Sequence, residues 1–108
     1  MTVKEIFEEK IPEGLKERAE KANKINSIYA FCITGDDGGD WTVDLTKPDG
    51  GEVRAGKEDA QCTITVGDQD FVDIVTGKLN GQMAFMAGKL KVAGDMGLAM
   101  KLQVILGG

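Results

Sequence analysis

From Phe71 to Leu106 the chain concentrates apolar side chains into short segments cut by glycine, and this stretch limits what the rest can be. The cuts fall at Gly77, Gly88 and Gly94, and the last segment, Met96 to Leu106, has only Lys101 and Gln103 as polar side chains. A helix that is apolar nearly all round has to be enclosed, by protein or by an apolar ligand. Periodicity alone leaves both enclosures open.

The remainder reads as a scaffold for that stretch. Thr2 and Glu5 have the spacing of a capping box, and Val3, Ile6, Phe7 and Ile11 follow at helical intervals, predicting a first helix over Val3 to Lys10. Pro12 is expected to stop it. A second helix is expected from Glu13, with Leu15, Ala19, Ala22 and Ile25 on one face, closed by Asn26 and Ser27. The period then changes to two. Tyr29, Phe31 and Ile33 alternate with Ala30, Cys32 and Thr34; Trp41, Val43 and Leu45 alternate with Thr42, Asp44 and Thr46. A short strand at Glu52 to Ala55 and another with Cys62, Ile64 and Val66 inward continue an expected antiparallel meander. Asp68 is expected to cap a third helix, Asn80 a fourth over Gly81 to Ala87, and Asp95 a last one from Met96, with a fifth strand at Leu90 and Val92. One domain spans residues 1–108.

Charge and residue type narrow the function. Residues 27–70 carry three basic and ten acidic groups, which argues against nucleic acid; residues 71–108 carry four and two, a balance that suits transient contact with an anionic headgroup. The chain has no histidine, its only serine is Ser27, and Cys32 and Cys62 fit no zinc spacing. The alternation puts Cys62 with the apolar face and Cys32 with the polar one, so they are not expected to pair. No catalytic constellation, metal site or cofactor motif emerges, and the expected role is not enzymatic. Calcium is the weakest exclusion, since Asp36, Asp37, Asp40 and Asp49 share a glycine-rich region. What stands out is an apolar supply larger than one sheet face needs, with four of five methionines between Met83 and Met100. Methionine suits both an irregular core and a permissive pocket.

At these residues the sequence resembles a known family. The segments Ala60-Gln61-Cys62-Thr63-Ile64-Thr65-Val66, Asp70-Phe71, Thr76-Gly77-Lys78-Leu79, Ala84-Phe85, Gly88-Lys89-Leu90-Lys91-Val92, Gly94 and Met96 to Gln103, together with Trp41 to Leu45, are similar to the sterol carrier protein 2, or nonspecific lipid-transfer, family over the whole chain. The resemblance implies an α+β fold: a five-stranded, mainly antiparallel sheet covered on one face by about five helices that enclose an apolar tunnel. It implies broad, non-catalytic binding and transfer of fatty acids, acyl-coenzyme A esters, sterols and phospholipids. The rival reading is an interaction module with a closed core that docks on lipid-metabolising enzymes.

Carried over by position, the implied lining is Phe31, Trp41, Phe71, Ile74, Val75, Met83, Phe85, Met86, Leu98, Met100 and Leu102, with Gln82 and Gln103 near a headgroup and Lys89, Lys91 and Lys101 as partners for its charge. Gly81 and Met86 depart from the family pattern, which often has proline and a second aromatic there. The chain ends without the peroxisomal tripeptide and starts without signal-peptide character, so a cytoplasmic location is expected. The expected partner is a lipid ligand, bound by a monomer.

Overall fold

The computed structural model describes residues 1–106. Its sheet has the order β3-β2-β1-β4-β5, formed by β1 (Ile28–Thr34), β2 (Gly39–Asp44), β3 (Glu52–Ala55), β4 (Cys62–Gly67) and β5 (Leu90–Gly94). Three neighbouring pairs are antiparallel, but β1 and β4 run parallel, with Phe31 opposite Ile64. The architecture is therefore α+β with a mixed, mainly antiparallel sheet, and the simple meander is corrected at one place. After β3 the chain does not fold back as a hairpin. It passes across the outer face of β2: the Thr42 hydroxyl donates to the Gly56 carbonyl (2.8 Å) and accepts from the Glu58 amide (3.1 Å), and the Gln61 amide reaches Ile28 O at 3.0 Å. This strap buries Thr42 and Ala30 on what would otherwise be a wet face.

Beside it, Arg54 spreads its guanidinium over Glu58 (2.8 and 2.9 Å), Glu52 (2.9 Å) and Asp44 (3.1 Å). Burial alone would raise the Asp44 carboxyl, yet the Thr46 hydroxyl and amide and then Arg54 outweigh it and hold Asp44 below its usual range.

The other face carries the helices. The N-terminal run is longer than the proline suggests: α1 (Val3–Glu5), a π-helical turn (Ile6–Lys10) and α2 (Ile11–Glu17) follow without a break. Pro12 sits in the first turn of α2, where a missing N–H costs little, and the widened turn absorbs the crowding, with the Ile11 amide donating to Ile6 O. A break does occur, but at Arg18 (φ −115°, ψ 30°), separating α2 from α3 (Ala19–Ile25). Arg18 Nε there donates to Val104 O (2.9 Å), tying the two ends of the chain together. Asn26 in the left-handed conformation ends α3, as its position suggests.

Of the remaining helices, α4 (Asp68–Val75) buries Phe71, Ile74 and Val75; its cap position is Gly67, and Asp68 instead accepts the Asp37 amide (3.0 Å). The glycine-rich turn before β2 thus has a structural task, since Asp37 in turn accepts the Val3 amide at 3.1 Å. Asn80 and Asp95 cap α5 (Gly81–Met86) and α6 (Met96–Ala99) as expected. The final segment is not one helix: it breaks at Met100 and Lys101 and resumes as α7 (Leu102–Leu106).

Candidate functional site

The helical layer is solid at one end. Phe7 lies between Trp41 and Phe71, nearly parallel to both, with ring centroids 5.0 and 5.1 Å away, and meets Phe31 edge-on at 5.4 Å. These distances are ordinary for packed aromatic rings and leave no room for a ligand. Phe7, Phe31 and Phe71 are fully buried and Trp41 half-buried.

At the other end a cavity of about 650 Å³ opens between α5, α6, α7 and β5. That volume falls in the range of small-molecule sites. Its wall is formed by Ile74, Leu79, Phe85, Met86, Leu90, Val92, Met96, Ala99, Met100, Leu102 and Leu106, with Gly77 and Gly81 in the gaps. The polar side chains that reach it are Asn80, Gln82 and Gln103. The Asn80 Oδ1 is already committed, accepting the Gln82 and Met83 amides (2.9 and 3.2 Å). Gln82 and Gln103 are exposed and supply both a donor and an acceptor.

The sequence makes this end hollow in a traceable way. Both α4 and α5 finish in Schellman turns. The Lys78 amide donates to Asp73 O (2.8 Å) and the Gly77 amide to Ile74 O (3.2 Å); Lys89 and Gly88 repeat the pattern on Ala84 and Phe85 (2.9 and 3.1 Å). Both turns need a left-handed residue, and Gly77 (φ 83°) and Gly88 (φ 77°) provide it with open space around them. The result is a short helix, α5, suspended between two tight turns above β5. Its Ala84 is buried, while Met83, Phe85 and Met86 are exposed.

Behind the cavity, a buried side-chain hydrogen bond ties α6 to the sheet. Tyr29 Oη donates to Leu98 O in α6 at 2.6 Å, both groups buried. Burial, with Cys62 and Asp95 nearby, pushes the Tyr29 phenol well above its usual range, so it stays protonated and keeps donating. Burial and then the Asp95 carboxylate push the Cys62 thiol up to about 11, which suits a small core residue rather than a nucleophile. Cys32 and Cys62 are both free.

Seven of the thirteen residues expected at a ligand meet around this cavity: Ile74, Gln82, Phe85, Met86, Met100, Leu102 and Gln103. The other six lie elsewhere. Phe31, Trp41 and Phe71 belong to the aromatic stack, because their strands and α4 place them under Phe7. Leu98 is buried against the sheet, Val75 faces a second cleft beneath α1 and α2, and Met83 points to solvent. The expected tunnel is in this sense shorter than the layer that covers it. Lining residues that sequence reasoning left out include Leu90, Val92, Met96 and Ala99. The alternation of Leu90 and Val92 marked an inward face, but nothing in it said that the face met a void.

The sequence model of the SCP-2 sterol transfer family matches residues 7–107. Sterol carrier protein 2 of Homo sapiens is 44% identical over 102 residues, which is 91% of this chain and 18% of that protein. Peroxisomal multifunctional enzyme A of Dictyostelium discoideum is 50% identical over 92 residues, 83% of this chain and 21% of that protein. The chain thus spans about a fifth of the length of these curated relatives. Among solved structures, the sterol carrier protein domain 2 of Helicoverpa armigera superposes with a TM-score of 0.72 at 35% identity, covering 89% of this chain and 79% of that one. Palmitated SCP2L2 from Aedes aegypti gives 0.77 at 28% identity, covering 100% and 96%.

Proposed function

We propose that this chain, which belongs to the SCP-2 sterol transfer family, is a lipid-binding and transfer domain of broad specificity that holds fatty acids, acyl-coenzyme A esters, sterols or phospholipids in its cavity without making or breaking a bond. The observation that carries the reading is the C-terminal cavity of about 650 Å³, walled by aliphatic, methionine and aromatic side chains with two exposed glutamines. An acyl chain entering it gains about 0.8 kcal/mol per methylene before ordering costs. A wall of Leu, Ile, Met and Val offers little that distinguishes one tail from another, and flexible methionines adjust to the difference. Gln82 and Gln103 are the groups placed to receive a carboxylate, hydroxyl or ester at the mouth.

The non-catalytic part of the reading is supported by the raised thiol of Cys62, the raised phenol of Tyr29 and a chain without histidine. Multifunctional relatives that contain a similar segment are a reason to keep the reading to this domain. Action as a monomer in a reducing compartment such as the cytoplasm completes the proposal; two free thiols on opposite faces of the sheet suit such a compartment. The closed-core interaction module is not favoured, because the C-terminal end is not closed.

Lipid extraction and mass spectrometry of the purified protein, with titration of a fluorescent fatty acid, test the reading. Co-purifying lipid and dissociation constants in the micromolar range or below are expected. Neither lipid nor saturable binding would overturn it.

A further inference from the structure

One wall of the cavity, α7, cannot stand by itself. It has five residues, of which Leu102, Gln103 and Leu106 line the cavity, and a helix so short does not hold its shape alone. An α-helix also leaves its last four carbonyls without partners inside the helix. One of these, Val104 O, is met from the other end of the chain by Arg18 Nε at 2.9 Å. Arg18 stands outside the cavity: it lines the second cleft, of about 530 Å³, together with Ile105 and Leu106. Leu106 lines both spaces, so α7 is the partition between them.

Two local features bring Arg18 to that carbonyl. The first is the break between α2 and α3, where Arg18 leaves helical geometry while its amide still donates to Gly14 O (3.1 Å) and its carbonyl accepts the Ala22 amide (2.9 Å). The second is Gly14, which lies inside α2 and is not among the glycines with positive φ. The backbone gives no reason for glycine there, and glycine is a poorer helix former than alanine. The space gives the reason: a Cβ at Gly14 would stand 2.5 Å from Arg18 Nη2 and 3.3 Å from its Cζ. The guanidinium lies in the gap that the missing side chain leaves. Glu5, Glu9, Glu13 and Glu17 share the cleft with Arg18, yet among the described residues none of them forms an ion pair with it. The side chain is therefore directed by the Val104 carbonyl and not by a salt bridge.

We infer that Arg18 is a positioning residue for the lipid cavity, a latch that holds α7 in place as a wall, with Gly14 providing the room for it. The inference rests on the lipid-carrier reading and deepens it by naming a residue outside the cavity that sets how long a lipid stays. While the latch is closed, Leu102 and Leu106 remain in the cavity wall. When it opens, the Val104 carbonyl returns to water and α7 frays from its C-terminal end. The cavity then opens onto the cleft, and the tail gains a second way out.

Stopped-flow dissociation of a fluorescent fatty acid tests this, together with hydrogen exchange of the ligand-free protein, in wild type and three variants. Arg18→Ala should release the fatty acid about tenfold faster, the size expected for a lost hydrogen bond from a charged donor. Its exchange should quicken by a similar factor in α7 while the sheet exchanges as in wild type. Gly14→Ala gives α2 a better helix former, so its melting temperature should not fall. The displaced guanidinium should nevertheless make release faster by about threefold or more. Asn23→Ala is the control for stability alone, because Asn23 binds the Leu45 and Lys47 carbonyls and the Gly50 amide, contacts that do not involve α7. It should lower the melting temperature and leave release unchanged.

Wild-type release by Arg18→Ala or by Gly14→Ala, or wild-type exchange in α7 of Arg18→Ala, would each overturn the latch. Faster release by Asn23→Ala, in proportion to its lost stability, would overturn it as well, since release would then follow stability and not the position of α7. The two readings fail separately. Fatty-acid binding with equal release rates in all four proteins removes only the latch, whereas absence of binding in all four removes the carrier function and leaves exchange in α7 to decide the latch.

Discussion

The two ends of the helical layer lie on the same sheet face and are similarly apolar, yet one is solid and the other hollow. At the closed end an uninterrupted run from Val3 to Glu17 lowers Phe7 between Trp41 and Phe71, and rigid rings fill the space by stacking. At the open end the cover is made of helices four to eight residues long, cut by Gly77, Gly88 and the break at Met100 and Lys101. Pieces that short cannot follow a sheet face closely, and their methionines turn outward instead of filling the gap. Apolar content alone therefore does not tell a core from a pocket; the continuity of the covering element and the stiffness of its side chains do.

The largest test of that contrast is Phe7→Ala. It removes the central ring of the stack and should destabilise the fold by about 3–5 kcal/mol, read as a lower urea midpoint. Fatty-acid affinity, measured where the variant is still folded, should stay within about threefold of wild type. A parallel loss of affinity would mean that the two ends are one continuous structure and that the contrast fails.

Next in size is Tyr29→Phe, which acts at the border. The Tyr29 ring lies beside Phe31 (centroids 6.4 Å apart), and its hydroxyl holds Leu98 O in α6, so a single residue spans both ends. Removing the hydroxyl takes the side-chain donor from Leu98 O and leaves it the Lys101 amide (3.0 Å), at a cost of about 0.5–1.5 kcal/mol. Hydrogen exchange should quicken in α6 more than in α1 and α2, and affinity should fall with it. Uniform exchange across both ends would show that the hydroxyl does not separate them.

Met100→Arg is smaller again and confined to the open end. Because Met100 is exposed as well as lining, the arginine has solvent to reach, and stability should change by less than about 0.5 kcal/mol. A cation at the rim should still weaken an uncharged lipid by roughly tenfold, about 1.4 kcal/mol, through lost apolar contact. Unfolding of the variant would mean that this end closes in solution.

Much of the fold was legible because its signals are local. Alternation located four of the five strands and a glycine-rich turn the short β3, and Asn26, Asn80 and Asp95 marked three helix ends by side-chain chemistry alone. What was not legible depends on contacts across the chain. The stretch from Gly56 to Ala60 reads as a turn whether it makes a hairpin or, as here, crosses a sheet, and the choice is settled by a hydroxyl on another strand, Thr42. Pro12 reads as a stop, yet its place in a first turn preceded by a π-helical turn lets the helix continue. The site divided along the same line. Phe31, Trp41 and Phe71 entered the implied lining by position, through the family resemblance, and position alone does not reveal that Phe7 stands between Trp41 and Phe71.

The smallest expected effect, Gly81→Pro, sharpens the contrast from the open side. Gly81 opens α5 and is not among the glycines with positive φ, so a proline ring matches its backbone. The preceding Asn80 is extended (ψ 129°), as a residue before proline must be, and its cap accepts from Gln82 and Met83 rather than from Gly81. A Cβ there would meet only Ile74 Cγ2, at 3.9 Å. The substitution should raise stability by about 0.4–1 kcal/mol by restricting the unfolded chain. It stiffens the start of the helix that roofs the cavity and leaves the aromatic end untouched, so fatty-acid association and dissociation should both slow while the dissociation constant changes less than twofold. A destabilised variant would show that α5 does not begin at Gly81 in solution, and unchanged rates in a stabilised one would show that ligands pass between α6 and α7 rather than beneath α5.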